Sequence, residues 1–196
     1  LFCYLFKDCS VLTSAPDLPA TTLAGYCYFK MFEGCTSLTS APELKATTLA
    51  DECYFSMFRN CTSLTSAPKL TATELKYYCY GSMFAGCTSL EKAPELPATT
   101  LANNCYTFMF SGCTSLTSAP ELKATTFVYK CYYGMFSGCT KLSTVTMLTP
   151  SDQITYQCCD TWLDNAGTDG TVSSRTLIVT DEAAYNALKS KYYLPT

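Results

Sequence analysis

The chain repeats itself every 26 residues, and this period limits its possible folds more than any other feature. Two series of cysteines follow the period. The first series is Cys27, Cys53, Cys79, Cys105 and Cys131, and the second is Cys9, Cys35, Cys61, Cys87, Cys113 and Cys139. A fixed period of roughly 20 to 50 residues is typical of proteins whose units bury their apolar faces only against neighbouring units. The sequence therefore predicts a solenoid, a stack of similar coils.

Part of each unit carries an apolar stripe spaced by four residues, as in Leu49, Cys53 and Met57. This spacing predicts a short helix. A threonine precedes each stripe as a candidate N-cap, at Thr21, Thr47, Thr73, Thr99 and Thr125. The residue before each cysteine of the second series is Gly, Asn or Asp. These residues tolerate a left-handed backbone, so this position predicts the end of the helix.

The other part of each unit, as in Leu38-Thr-Ser-Ala41-Pro42, predicts a short strand. Each unit places a proline after this strand, at Pro16, Pro42, Pro68, Pro94 and Pro120. A proline removes one hydrogen-bond donor from a sheet, so we expect strands of about three or four residues. The predicted fold class is an α/β repeat, with short parallel strands on one face of the solenoid and short helices on the other.

The repeat degenerates towards the C-terminus, which predicts a solenoid over residues 1–166 and a strand-helix cap over 167–196. Ile154, Cys158 and Trp162 take the positions of the apolar stripe after one inserted residue. The run from Arg175 to Val179 predicts a strand. The run 181–192 predicts a helix with Thr180 as its N-cap and Ala184, Leu188 and Tyr192 on its apolar face. Terminal units of this kind close the open end of a repeat core.

The run Met57-Phe58-Arg-Asn-Cys61-Thr-Ser-Leu64-Thr-Ser resembles the core motif of the BspA-like leucine-rich repeats of bacterial surface proteins. The resemblance covers about residues 1 to 165, although this period is longer than usual in that family and Ala41-Pro-Glu-Leu44 replaces its usual strand motif. The resemblance implies a leucine-rich-repeat solenoid in a secreted or cell-surface protein. It also implies adhesion or binding to host proteins without catalysis.

Charge and composition exclude several classes of partner. The formal net charge is −3, and the 13 Lys and Arg residues form no cluster, which argues against nucleic acid and against an anionic membrane surface. No apolar run is long enough to span a membrane, so we expect no membrane insertion of this segment. The run 1–9 aligns with the interior of a unit. We therefore expect a piece of a longer extracellular or surface protein, with any signal or anchor upstream.

The 14 cysteines suggest disulfides or a metal site, but the repeat favours free, buried thiols. The spacing from Cys27 to Cys35 differs from that of zinc ligands, and the chain has no histidine, so we expect no metal and no cofactor. Cys3 and Cys159 lie outside the two series. Either could be an exposed, reactive thiol, but for Cys159 partial burial against the cap is the favoured interpretation, since Cys158 takes the core position.

Catalysis is not predicted. Without histidine, the Ser-His-Asp and Cys-His arrangements are impossible. The carboxylates that recur at one position of the unit are Asp17, Glu43, Glu95 and Glu121. A glycosidase needs one specific carboxylate pair across a cleft, so these residues are better interpreted as exposed turn charges.

Tyrosines supply the candidate binding surface. One set recurs at a fixed position, Tyr28, Tyr54, Tyr80, Tyr106 and Tyr132, and we expect packed rings with hydroxyls in water. Aromatic residues at variable positions are more informative, because exposed aromatic clusters often mark interaction surfaces. Tyr77, Tyr78, Tyr129 and Tyr133 form the candidate patch. The alternatives are packing against a neighbouring domain, or binding on the hydroxyl-rich sheet face that includes Thr65.

The sequence thus predicts a non-enzymatic binding or adhesion module whose partner is a protein or glycoprotein. Two alternatives stay open. One is a structural spacer that holds another domain away from the cell, and the other is a carbohydrate-binding surface that uses the exposed tyrosines. We also expect weak self-association through the open N-terminal coil, since it leaves an apolar edge uncovered.

Overall fold

A computed structural model of the chain describes residues 2–155, 157–191 and 193–194. The repeated units form coils that lie in parallel, one on the next. We number them coil 1 (9–34), coil 2 (35–60), coil 3 (61–86), coil 4 (87–112), coil 5 (113–138) and coil 6 (139–165). Single parallel bridges join equivalent residues along the stack: Ser14 to Ser40, Ser40 to Ser66, Ser66 to Lys92, Lys92 to Ser118, and Ser118 to Thr144.

Among the described residues, the segments predicted as helices are not helical; they are series of tight turns. The backbone N–H groups alternate between two kinds of acceptor. Tyr28 donates to Cys53 O in the next coil at 2.9 Å, whereas Met31 donates back to Tyr28 O at 3.2 Å. We call these stretches the turn segments. The helix prediction was wrong because a stripe repeating every four residues fits a series of turns as well as it fits a helix.

Every fourth residue of a turn segment has a left-handed backbone, as at Tyr26 (φ 57°), Lys30 (φ 53°) and Gly34 (φ 77°). The left-handed conformation expected before the second cysteine is therefore present, but it belongs to a turn and not to a helix cap. The threonines expected as N-caps have no helix to cap. Thr125, for example, donates through Oγ1 to Thr99 O at 3.5 Å and so bonds to the previous coil.

Strands are shorter than expected wherever the repeat keeps its proline, since only single bridges form there. Coil 6 has Thr146 at the proline position, and it contains a four-residue strand, β1 (Thr144–Met147). β1 pairs in parallel with β2 (Thr176–Val179), with Thr144 opposite Thr176 and Met147 opposite Val179. The difference between coil 6 and the other coils supports the argument that the length of the strands is limited by proline, which has no backbone N–H to donate.

The region after coil 6 forms a small cap. Helix α1 (Glu182–Ser190), which follows β2, lies against a 3-10 turn of coil 6 at Ser151–Gln153. The N-cap is Asp181, whose Oδ1 accepts from Ala184 N at 2.8 Å, and not Thr180 as predicted. Ala184 and Leu188 are buried as expected from their spacing, whereas Tyr192 lies outside the described residues.

The core consists of side chains stacked on their own equivalents in neighbouring coils. The Phe58 ring lies 5.7 Å from the Phe84 ring, and the Tyr54 ring lies 5.9 Å from the Tyr80 ring, both nearly parallel. The rings are packed as expected, but the expectation that the hydroxyls lie in water was wrong at Tyr106. The Tyr106 side chain is buried, and its hydroxyl has no hydrogen-bond partner among the described residues.

Candidate binding surface on the turn face

The exposed side of the turn segments, the turn face, carries the variable positions of the repeat. Tyr77 in coil 3 and Tyr129 in coil 5 occupy equivalent positions and are 45% and 48% exposed. Asn103 is the exposed equivalent in coil 4. Successive coils are separated by about 4.8 Å, the spacing of parallel strands, so the backbones of Tyr77 and Tyr129 lie about 10 Å apart.

Tyr78 is half-buried because its ring lies over a glycine. Its ring packs edge-on against Tyr77 at 4.6 Å and against Phe55 at 5.5 Å. A Cβ atom at Gly81 would lie 2.8 Å from Tyr78 Cδ1 and 2.9 Å from Phe55 Cδ2. The absent side chain of Gly81 therefore creates the space that fixes these two rings.

Coil 5 repeats this arrangement with different residues. The Phe108 ring covers Gly134, where an added Cβ would overlap it, and packs edge-on against Tyr133 at 5.0 Å. Gly134 also has a left-handed backbone, with φ of 59°. The half-buried Tyr133 is thus held by the Phe108 ring, which itself lies over Gly134.

Lys130 joins the two tyrosines of coil 5. Its Nζ lies 5.2 Å from the centroid of the Tyr129 ring and 4.9 Å from that of Tyr133. The neighbouring Tyr129 hydroxyl raises the pKa of Lys130, so the ammonium is charged at neutral pH. No carboxylate of the described residues lies within 4 Å of it. The sequence patterns did not single out Lys130, because they followed aromatic residues only.

The four tyrosines of the candidate patch thus form two pairs, one on coil 3 and one on coil 5. Tyr77 contacts Tyr78, and Tyr129 and Tyr133 share Lys130. Asn103 and the buried Asn104 lie between the pairs on coil 4. The resulting surface, which we call the tyrosine patch (Tyr77, Tyr78, Tyr129, Lys130 and Tyr133), combines exposed ring faces, hydroxyls and one cation.

The turn face of coils 1 and 2 has a different chemistry. Tyr26 donates to Glu52 Oε1 at 2.9 Å, so its hydroxyl already has a partner. The carboxylate of Glu33 is largely buried and lies 3.5 to 3.8 Å from Lys7, Lys30 and Arg59. These charged groups pair with one another, so coils 1 and 2 have few polar groups free to bind a partner. The exposed aromatic rings without such partners lie on coils 3 to 5.

The sheet face offers less for a partner. Its exposed residues are Thr39, Ser40, Thr65, Ser66, Glu91, Lys92, Thr117 and Ser118. The hydroxyl of Thr65 donates to Thr39 O in the previous coil at 3.5 Å, and Thr39 bonds in the same way to Thr13 O. Part of the hydrogen-bonding capacity of this face is therefore used within the stack.

Most of the cysteines are free thiols buried in the core of the stack. All 14 are free thiols, and of the ten cysteines from Cys27 to Cys139 in the two series only Cys27 is not fully buried. Cys61 donates to Phe32 O at 3.1 Å, a contact that recurs along the stack. Burial raises the pKa of Cys35 to about 11 and that of Cys53 to about 12, so these thiols stay protonated at neutral pH. Among the described residues, no three His, Cys, Asp or Glu side chains are placed to hold a metal ion.

Cys159 is fully buried, whereas partial burial was expected. Because of the inserted residue, Tyr132 N donates to Cys158 O at 2.9 Å, and Cys159 then occupies the position of the stacked tyrosines. The neighbouring Cys159 thiol holds the pKa of Cys158 below its ordinary value, whereas burial raises the pKa of Cys159. Cys3, at the other end, is half-buried.

No protein-family model matches this chain, and no curated protein matches it. One similar solved structure is a leucine-rich repeat protein from Bacteroides ovatus ATCC 8483, with 20% sequence identity and a TM-score of 0.46. The match covers 78% of this chain and 33% of that protein, so the chain spans about a third of its length. Among the described residues, no helix has the length and apolar character needed to cross a membrane.

Proposed function

We propose that this protein is a non-catalytic binding module of the BspA-like surface type, which contacts a protein or glycoprotein through the tyrosine patch. The observation that supports this proposal is the exposure of Tyr77 and Tyr129 beside Lys130 on a rigid stack. The proposed location is the cell surface or the extracellular space.

Sequence variation along the stack supports a role for the patch. Core positions carry the same residue in coil after coil, whereas the position of Tyr77 and Tyr129 carries Gly25, Asp51 and Asn103 elsewhere. A position that the fold does not constrain is free to serve a partner. Tyrosine is enriched at interfaces because it combines a large apolar ring with a polar tip.

The packing of the patch lowers the cost of binding. Tyr78 and Tyr133 are held edge-on by Phe55 and Phe108, so their rings are ordered before a partner arrives. Ordering a side chain on binding costs roughly 0.5–1.5 kcal/mol, and a pre-ordered ring avoids this cost. Two fixed rings beside two exposed ones give a surface suited to form the centre of an interface.

Lys130 adds a chemical preference. Its ammonium lies over two ring faces without a carboxylate within 4 Å among the described residues, so it can donate hydrogen bonds to an incoming acceptor. Carboxylates of a protein and hydroxyls or carboxylates of a glycan both supply such acceptors. The thiols suit an extracellular location as well, because their raised pKa values suppress the thiolate that oxidation requires.

A direct test is the binding of the labelled protein to immobilised matrix proteins and, in separate channels, to mucin glycans. We expect saturable binding that falls at least tenfold in the Tyr77→Ser/Tyr129→Ser double variant, since two central tyrosines typically contribute about 2 kcal/mol or more. Tyr26→Ser is the matched control, because Tyr26 is similarly exposed but is bonded to Glu52.

The same experiment separates the alternatives. Binding only in the glycan channels favours a carbohydrate-binding surface, for which the arrangement of Tyr77 and Tyr129 around Asn103 is the supporting observation. Unchanged binding by the folded double variant would contradict the patch. No saturable binding by the folded wild type would favour the structural spacer.

A further inference from the structure

A cleft lies between coil 6 and the cap, with coil 6 on one side and β2 and α1 on the other. We infer that this cleft binds a small organic ligand with one carboxylate group and an apolar body, and that Arg175 binds the carboxylate. The cleft shares no residue with the tyrosine patch, so this inference does not depend on the proposed function.

The cleft is small and mostly apolar. Its volume is about 200 Å³, and its lining includes Leu142, Val145 and Leu163 of coil 6 and Leu177 of β2. A cavity of roughly 150 Å³ can hold benzene, whereas drug-sized ligands occupy pockets of roughly 300 Å³ or more. The cleft therefore has room for a ligand slightly larger than benzene.

The cleft results from the way in which the cap covers coil 6. Leu142 is the last leucine at its position of the coil, and its interior equivalents, such as Leu90, are fully buried. Counting back from the pairing of Thr144 with Thr176, the residue in register with Leu142 is Ser174, which is small and polar. This register therefore places no apolar side chain on Leu142, and the space beside it stays open.

Arg175 is the charged residue in the lining of the cleft. Arg175 and Leu177 both line it, as expected for residues two positions apart on an extended segment. A charged side chain beside a buried core ordinarily has a partner. No carboxylate among the described residues lies within 4 Å of the guanidinium. Arg175 is therefore available to pair with a ligand.

The stem of Arg175 is held in place by a glycine. A Cβ atom at Gly167 would lie 2.8 Å from both Cγ and Cδ of Arg175, so the stem rests on the bare Gly167 backbone. Gly167 is left-handed, with φ of 66°, and its N–H donates to Cys139 O at 3.1 Å. On the other side, Thr176 N donates to Ser143 O at 2.7 Å. Because the stem is already ordered, less entropy is lost when the guanidinium binds a ligand.

The chemistry of the lining selects a carboxylate with an apolar body. The guanidinium is a planar fork of N–H donors that matches a carboxylate with two parallel hydrogen bonds. Tyr185 of α1 also lines the cleft, and its hydroxyl is a second donor. The leucine side chains accommodate the apolar body. A cationic ligand would be repelled by Arg175, and a neutral ligand would lack the charge-assisted bonds.

Isothermal titration calorimetry of the full chain with three probes of one shape tests the inference. The probes are benzoate, benzyl alcohol and benzylamine. We expect saturable binding of benzoate, binding of benzyl alcohol that is at least tenfold weaker, and no binding of benzylamine. Equal affinity for benzoate and benzyl alcohol would overturn the inference, and so would the absence of saturable benzoate binding by the folded wild type.

The Arg175→Met variant tests the residue that carries the selectivity. It keeps an apolar stem over Gly167 but removes the guanidinium, so the affinity for benzoate should fall at least tenfold, to that for benzyl alcohol. Lys141→Met is the matched control, because it removes the same charge from an exposed residue outside the lining and should bind benzoate like the wild type. Unchanged benzoate affinity in folded Arg175→Met would overturn the inference.

The Ala166→Leu variant tests the position of the ligand. Ala166 is buried and lines the cleft, so a larger side chain there fills part of its volume. We expect the affinities for benzoate and for benzyl alcohol to fall together, since both probes need the same space. Circular dichroism checks that the variant is folded. Unchanged binding of both probes by the folded variant would place the ligand elsewhere and overturn the inference.

Discussion

The interior coils and coil 6 bury side chains at equivalent positions, but their backbones pair differently with the neighbouring segments. Coils 2 to 5 have a proline after the bridge residue and form single bridges. Coil 6 has Thr146 there and forms the strand β1, which pairs with β2. The interior is thus held mainly by side-chain stacking and turn bonds, whereas the end of the stack is held by a sheet.

A second difference lies in the tyrosine position. The interior coils fill it with stacked rings such as Tyr80 and Tyr106, 6.0 Å apart. Coil 6 fills it with Cys159, and Tyr193 of the cap lies close by, bonded through its hydroxyl to Thr155 O at 3.0 Å. Trp162 replaces the stacked methionine and donates to Tyr193 O at 2.7 Å. The last coil is therefore held by contacts with the cap at positions where the interior coils stack on identical residues.

The largest expected effect is unfolding of the interior at alkaline pH. Burial raises the pKa of Cys53 to about 12 and that of Cys87 to about 12, from an ordinary value of 9.0. The unfolded chain then releases thiol protons more readily, so this stabilisation is complete below pH 9 and is lost as the pH rises from 9 to 12. Urea midpoints should be constant between pH 7 and 8 and fall steeply above pH 9. A constant midpoint up to pH 11 would contradict the burial of these thiols.

The next prediction compares the loss of stability on removing a stacked ring from the interior of the stack with the loss in its first turn segment. Phe84 is stacked on both faces, by Phe58 and Phe110 at 5.7 Å each, whereas Phe6 is stacked on Phe32 alone among the described residues. We expect Phe84→Ala to lower the free energy of unfolding by about 3–5 kcal/mol. The matched variant Phe6→Ala should cost roughly 1–2 kcal/mol. Equal losses in urea denaturation would show that the position along the stack is unimportant.

Trp162 tests whether the cap is held by a hydrogen bond as well as by packing. Trp162→Phe keeps an aromatic ring but removes the indole donor, so Tyr193 O loses its partner. Leaving a buried acceptor unsatisfied costs about 1–3 kcal/mol. Amide exchange should increase in the cap and coil 6 but not in coil 3. Tyr185→Phe, which changes an exposed residue of α1, is the control and should leave exchange unchanged.

Introducing the repeat proline into coil 6 should convert its strand into the interior type. We expect Thr146→Pro to reduce β1 to a single bridge and to destabilise the protein by about 1–2 kcal/mol. Amide protection of β2 should fall with it. Thr146→Val retains the N–H group and has a high strand propensity, so it should preserve β2. Loss of protection in both variants would contradict the role of the proline.

The smallest expected effect is a gain in stability within coil 2. Ser56 is fully buried, its hydroxyl has no partner among the described residues, and its backbone is left-handed with φ of 52°. Ser56→Gly removes both costs and should stabilise the protein by about 1 kcal/mol. Ser82 has the same φ of 52° but is half-buried, so Ser82→Gly should gain less in thermal denaturation.

Most of the interior could be predicted from residue type and spacing. Leu64, Cys61 and Met57 are apolar at every repeat, and burial follows from that alone. The helix prediction failed because the sequence spacing did not show that Tyr26 and Lys30 are left-handed. These residues do not favour that conformation, which costs roughly 1–2 kcal/mol per residue. Bonds to the next coil, such as Lys30 N to Phe55 O at 2.9 Å, hold them in it.

The candidate surface could be predicted only in part. Spacing identified Tyr77 and Tyr129 as variable positions outside the core, and the structure places both at the surface. The sequence spacing could not identify the role of Gly81 and Gly134, whose missing side chains make room for Tyr78 and Phe108. That relation joins residues of different coils, so it depends on how the coils lie over one another.

Stacking each residue on its own equivalents has a consequence for how such a chain can evolve. A gene segment that encodes one interior coil can be duplicated or deleted in frame, and the new neighbours of Phe58, Tyr54 or Cys61 are again Phe, Tyr and Cys. The array can therefore change length without new compensating mutations in its core. Selection is then free to diversify the turn face of the added coil, while β2 and α1 continue to close the last one.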